Sequence, residues 1–75
     1  MAILLEFRKT GEDERQVEYI YGFPEMDRRM VIDKRSMEGS PADGTADRDY
    51  VKVLRSILRG QERLQAWPPS GAYEA

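Results

Sequence analysis

Two stretches near the start of the chain alternate apolar and polar side chains with a period of two. In residues 2–9, Ile3, Leu5 and Phe7 fall on one side and Glu6 and Arg8 on the other, with Leu4 among the charges. In residues 16–23, Val17, Tyr19, Tyr21 and Phe23 share a face, and Gln16, Glu18 and Gly22 share the opposite one with Ile20. This alternation predicts two half-buried strands, and the aromatic and β-branched content of the second suits a pleated surface. Between them Thr10–Arg15 is polar and contains Gly11, which reads as the turn of a hairpin. Pairing Phe7 with Tyr19 and Leu5 with Tyr21 keeps the apolar faces together and sets Arg8 opposite Glu18. A slip by two residues that brings Glu6 opposite Glu18 places like charges face to face. Pro24 ends the second strand because it cannot donate to the ladder. Glu25–Arg29 reads as a charged, solvated turn, and residues 29–34 as a short third strand with Met30 and Ile32 on the buried face.

The period changes from two to 3.6 in the second half. Tyr50, Val53, Leu54, Ile57, Leu58, Gln61 and Leu64 recur at helical spacing, which predicts an amphipathic helix over residues 47–65. Thr45 or Asp47 can cap it, and Asp47 and Asp49 place negative charge at its start. Gly60 weakens the middle of such a helix unless the backbone there approaches another element. Residues 36–47 hold Gly39, Pro41 and Gly44 and little apolar matter, so a loop is expected, long for a compact domain. Trp67-Pro68-Pro69 stops the helix. The expected fold class is α+β: a three-stranded antiparallel β-meander with one C-terminal amphipathic helix packed on one face, in the order β-β-β-α. Residues 1–66 form a single small domain and residues 67–75 a Trp-Pro-Pro tail, extended or partly disordered. The second strand is then central, and the first and third are open edges.

Composition narrows the chemistry. With 75 residues, 40% apolar and 35% charged, one marginal core is all the chain can build, stable by only about 3–5 kcal/mol unless something else helps. There is no Cys and no His, which excludes disulfides, thiolate nucleophiles and the commonest metal ligand. No cofactor or metal is expected. Asp43, Asp47 and Asp49 do not have the spacing of a calcium loop and are explained by the start of the helix. The glycines are scattered rather than gathered into a phosphate loop, and Ser36, Ser40 and Ser70 have no His to act as base. A general base would have to be Asp, Glu, Lys or Tyr. The apolar run Ile3-Leu4-Leu5 is too short for a signal core of about 7–15 residues, and no stretch nears the ~20 residues of a membrane span. A cytoplasmic location is expected.

Charge is distributed unevenly. The net value is −2, yet residues 48–66 hold five bases and two acids. Arg48, Lys52, Arg55, Arg59 and Arg63 recur at helical spacing and fall within a sector of about 80°, opposite the apolar stripe. Arg suits bidentate contact with carboxylate or phosphate. Such a stripe is either a solvated outer face or a docking surface. On the other side of the fold, Leu4 and Ile20 place apolar groups on the uncovered sheet face, where a second copy of the chain or the tail could sit. Trp67 either caps the core or, beside two prolines, presents a ligand to a peptide groove. The reading is a non-enzymatic protein-interaction or regulatory module that binds another protein through its sheet or basic helix, with a homodimer as one form of that contact. Partner-binding residues are then Arg48, Lys52, Arg55, Arg59, Arg63, Leu4, Ile20 and Trp67. The alternative is a nucleic-acid-binding module using the helix stripe, and a weaker one is a carboxylate-dependent enzyme. No membrane partner is expected.

Overall fold

The computed structural model describes residues 4–23 and 25–74. The chain is α+β: β1 (Leu4–Glu12), β2 (Gln16–Gly22), β3 (Arg28–Asp33), β4 (Gly39–Pro41), α1 (Arg48–Leu64) and β5 (Ser70–Glu74). The strands form one antiparallel sheet in the order β4-β3-β2-β1-β5. The expected meander is its centre, and the sheet has five strands rather than three. The loop expected over residues 36–47 contributes β4, and the extended segment after Pro69 is β5. The first and third strands are therefore not edges, because β5 lies against β1 and β4 against β3.

One face of the sheet is covered by α1. The core comprises Leu5 and Phe7 of β1, Val17, Tyr19 and Tyr21 of β2, Met30 and Ile32 of β3, and Tyr50, Val53 and Ile57 of α1. Phe7 meets the Tyr19 ring edge to face at 5.8 Å between centroids, the geometry that ring quadrupoles favour. Leu54 and Leu58, expected at the centre of the helix stripe, are only half-buried and pack against this cluster. Two expected core residues lie outside it. Phe23 is 56% exposed and Leu64 55%. Phe23 follows Gly22, whose φ of 145° turns the chain out of the strand. A side chain there would also strike the Glu25 carbonyl oxygen, since a Cβ on Gly22 would sit 2.3 Å from it. Leu64 lies a turn beyond Gly60, the last buried residue of the helix.

The β1–β2 register differs from the expected one by two residues: Phe7 pairs with Tyr21, Arg8 with Ile20 and Lys9 with Tyr19. The apolar faces still coincide, because a shift of two preserves side-chain direction. The like-charge argument disfavoured a slip in only one direction, and the chain takes the other. The turn is tight. The Asp13 Oδ1 accepts from the backbone N–H groups of Arg15 and Gln16, both at 2.8 Å, so β1 runs on to Glu12. A bulge between Lys9 and Gly11 takes up the extra residue, Thr10, whose hydroxyl donates to Glu18 Oε2 at 2.8 Å. An inserted residue of this kind bends and twists the strand locally.

β5 is placed by a buried hydrogen bond. After α1 the chain reverses, and Pro68 packs against Gly60. The Tyr19 hydroxyl donates to the Pro68 carbonyl at 2.7 Å, and the Lys9 N–H donates to the Pro69 carbonyl at 2.8 Å. The hydroxyls of Tyr21 and Tyr50 are buried too but have no hydrogen-bond partner among the described residues. The three tyrosines therefore differ in what their hydroxyls contribute. Tyr19→Phe leaves a buried carbonyl unpaired and is expected to lower stability by about 1–3 kcal/mol. Tyr21→Phe removes an unpaired group and is expected to be near neutral. Urea unfolding of the two variants, read as midpoints at unchanged slope, checks this contrast; equal losses would refute it.

Candidate functional site

The site with the clearest chemistry is the outer face of α1, and its position depends on how the start of the helix is held. Asp47 caps the helix: it is extended, at φ −81° and ψ −175°, and its Oδ1 accepts from the Tyr50 N–H at 3.0 Å. This satisfies one of the N–H groups a helix start leaves orphaned. The same carboxylate is gripped by Arg28. The Arg28 Nη1 donates to both Asp47 oxygens at 3.1 and 3.0 Å, Nε to Asp43 Oδ2 at 3.3 Å, and Nη2 to the Thr45 carbonyl at 3.2 Å. The guanidinium also lies over the Tyr21 ring, 4.9 Å from its centroid. Arg28 is half-buried, so this cluster is screened less than a surface ion pair.

Arg28 corrects an expectation. The segment ending at Arg29 reads in sequence as a solvated charged turn, yet β3 begins at Arg28, which pairs directly with Tyr21. The signal was available: Arg28 shares the i, i+2, i+4 face of Met30 and Ile32. It was masked by the charges on either side.

Beyond the cap, α1 turns its apolar side to the sheet and its basic side outward. Arg48, Arg55, Arg59 and Arg63 are exposed and Lys52 is half-buried. No ion pair or side-chain hydrogen bond joins these four arginines to another described residue. From Arg48 to Arg63 the stripe spans about 22 Å at 1.5 Å per residue. Lys52, Arg55, Ser56 and Arg59 line a shallow hollow of about 200 Å³. The helix ends at Gln65, in the left-handed region at φ 57°, with its Nε2 donating to the Glu62 carbonyl at 3.0 Å.

The remaining candidate residues are elsewhere. Ile20 is half-buried on the uncovered sheet face, directly between Arg8 and Arg29 in the cross-strand row. The apolar strip expected there is thus interrupted by charge. The Leu4 side chain lies outside the described residues. Trp67 is half-buried and packs against the core, not beside the helix stripe. The structure brings the five basic residues together and leaves Ile20 and Trp67 apart from them. No three acidic side chains converge as a metal site would require among the described residues, and no described helix is long and apolar enough to cross a membrane.

No protein-family model, curated protein or solved structure matches the chain.

The Asp47 carboxyl is held below its usual range, first by the Tyr50 N–H it accepts and then by Arg28. A folded-state value below the unfolded one of about 3.9 stabilises the fold above that pH. The contribution is lost as pH falls through the folded value. Asp47→Asn keeps a capping oxygen but cannot titrate. The variant is expected to lose less stability than the wild type between about pH 4 and pH 2, as measured by acid titration of the circular-dichroism signal. Parallel acid limbs would show that Asp47 does not carry this dependence.

Proposed function

We propose that the protein is a non-catalytic interaction module and that α1 docks an acidic segment of a partner protein. The observation that carries this reading is the row of exposed arginines, Arg48, Arg55, Arg59 and Arg63, which make no ion pair with another described residue. Solvated helix faces usually mix signs to gain i, i+4 pairs, and here five bases stand against two acids, Asp49 and Glu62. Arginine in such a row favours bidentate carboxylate contact.

A phosphate backbone offers similar chemistry, but two observations favour a short acidic peptide. The whole chain is net negative, so a long polyanion meets repulsion away from the helix. The N-terminal end of the stripe is also flanked by Asp43, Asp47 and Asp49, where a continuous phosphate backbone would have to pass. A short acidic segment can end before it reaches them.

Fluorescence anisotropy with a labelled acidic peptide and with a labelled duplex DNA, at about 50 and 200 mM salt, separates the two partners. The peptide is expected to bind, and the double variant Arg55→Glu/Arg59→Glu to weaken it by about tenfold or more. Thermal stability should change little, because both sites are exposed. Tighter binding of the duplex, with a log–log salt slope near about −4.5 for five phosphates, would favour the nucleic-acid reading. Absence of binding to either at about 50 mM salt would remove both.

A further inference from the structure

We propose that the free edge of β5 and the hollow beside it accept an extended segment of another protein as a sixth strand. One large apolar side chain of that segment sits in the hollow. The site is on the sheet, not on the basic face of α1, and does not depend on the function proposed for the helix.

The backbone geometry defines the edge. The Lys9 N–H bonds the Pro69 carbonyl, so Lys9 and Pro69 stand at a hydrogen-bonded position of the β1–β5 ladder. Bonded and non-bonded pairs alternate in an antiparallel ladder. Phe7–Gly71 is then the next bonded pair, and Arg8–Ser70 and Glu6–Ala72 are non-bonded ones. The N–H and C=O groups of Ser70 and Ala72 therefore point away from β1, toward the open side.

The opposite edge of the sheet offers less to an added strand. Along β4 the Ala42 N–H bonds the Arg29 carbonyl at 2.9 Å and the Asp33 N–H bonds the Glu38 carbonyl at 2.8 Å, so Gly39 and Pro41 are the residues facing outward. Pro41 has no N–H to offer, and the Tyr50 hydroxyl and the Leu54 methyls crowd Gly39 within 3.2 Å of where a Cβ would stand. Edges are commonly blocked by proline, lysine or a covering element. The Ser70-Gly71-Ala72 stretch has none of the first two, and no described strand covers it.

The hollow identifies what a sixth strand should carry. It has a volume of about 340 Å³ and lies on the uncovered face across β1 and β5, bounded by Glu6, Arg8, Met26, Ser70 and Ala72. Met26 is there because the chain folds back at Gly22, laying Glu25 and Met26 over that face. Side chains of an added strand on this face stand beside Ser70 and Ala72. A second copy pairing antiparallel through its own β5 would supply Ser70 and Ala72 at these positions if centred on Gly71, or Ala72 and Glu74 if centred on Ala72, and none of these is a large apolar side chain. The occupant is therefore a partner segment with a leucine, methionine or phenylalanine at the position beside Ala72. Arg8, which shares its row with Ser70, favours an acid two residues away. Strand addition supplies affinity through the main chain and selectivity through such alternating side-chain pockets.

The test uses the intact ¹⁵N-labelled chain and two blocked hexapeptides, acetyl-Thr-Thr-Val-Phe-Val-Asp-amide, whose Asp falls beside Ser70 and Arg8 when Phe pairs antiparallel with Ala72, and its analogue with Ala in place of Phe. Addition to about 1 mM is expected to shift the Ser70 and Ala72 amides saturably and to slow their hydrogen exchange, with the Ala analogue at least about tenfold weaker. Ala72→Pro removes only the outward donor and leaves the ladder to β1 intact, a position where edge strands tolerate proline. It should abolish the response. Met26→Ser, which leaves the backbone unaltered, should weaken it about tenfold and serves if the proline variant does not fold. Arg55→Glu/Arg59→Glu should leave it unchanged, which separates this site from the helix stripe. No shift at about 1 mM, equal response to both peptides, or an undiminished response in the folded Ala72→Pro and Met26→Ser variants overturns the proposal. So does slowed exchange at Ser70 and Ala72 that rises with protein concentration in the absence of peptide, because the occupant would then be a second copy.

Discussion

The burial of β2 under a single helix is the constraint on which the rest of the structure depends. Val17, Tyr19 and Tyr21 are all fully inaccessible, and two of them end in hydroxyls. A chain of 75 residues has few side chains with which to cover two tyrosines, so cover has to come from segments far away in sequence. Each tyrosine recruits one. The Tyr19 hydroxyl holds Pro68 and with it the start of β5. The Tyr21 ring lies under the Arg28 guanidinium, which holds Asp43, Thr45 and Asp47 and so the start of α1. Both ends of the helical crossing are thus tied to the central strand. Burial also pushes up the Tyr21 hydroxyl, to about 12, so these groups stay neutral and their rings pack as apolar surface with a polar tip.

Arginine serves two opposite ends in this fold. Arg28 is half-buried and makes contacts with two carboxylates, a carbonyl and a ring, so its charge is spent on holding the loop to the helix. The arginines of α1 face solvent, and their charge remains available. The difference arises from period: Arg28 stands on the inward face of a strand, and Arg48, Arg55, Arg59 and Arg63 stand opposite the apolar stripe of a helix. Glu12 shows a further arrangement. It accepts from Lys9 and Lys34, each at 2.6 Å, and joins β1 to the end of β3 near the rim of the core. That pairing ties down the two lysines at this rim, whereas on the helix four arginines concentrated in one row make no ion pair with another described residue. It is this concentration that supports the proposed acidic partner.

The two edges of the sheet are likewise unequal. β4 is short, ends in proline and is crowded by the side chains of α1, while β5 exposes backbone groups beside a hollow shaped by the fold-back at Gly22. The asymmetry follows from where the helix crosses. Its first turns lie over Gly39 of β4, and its last approach Pro68 at the start of β5 without covering the strand's outer side.

The sequence by itself determined the α+β class, the three central strands, the helix and most of the core, because period-two and period-3.6 patterns record which side of an element is buried. The basic stripe was legible for the same reason, since spacing alone aligns residues on a helix. Only the tertiary structure decided the register, β4, β5 and the role of Arg28. The register depended on the Asp13 turn and on the Thr10 bulge, neither of which alters the apolar pattern. β4 and β5 are short strands of small residues, Gly39-Ser40-Pro41 and the segment starting Ser70-Gly71-Ala72, with little apolar alternation to reveal them. They become strands because the sheet offers them backbone partners and Tyr19 anchors Pro68. A strand whose stabilisation comes from its neighbours leaves no periodic trace in its own residues, and an arginine among other charges does not declare which ring or carboxylates it will meet.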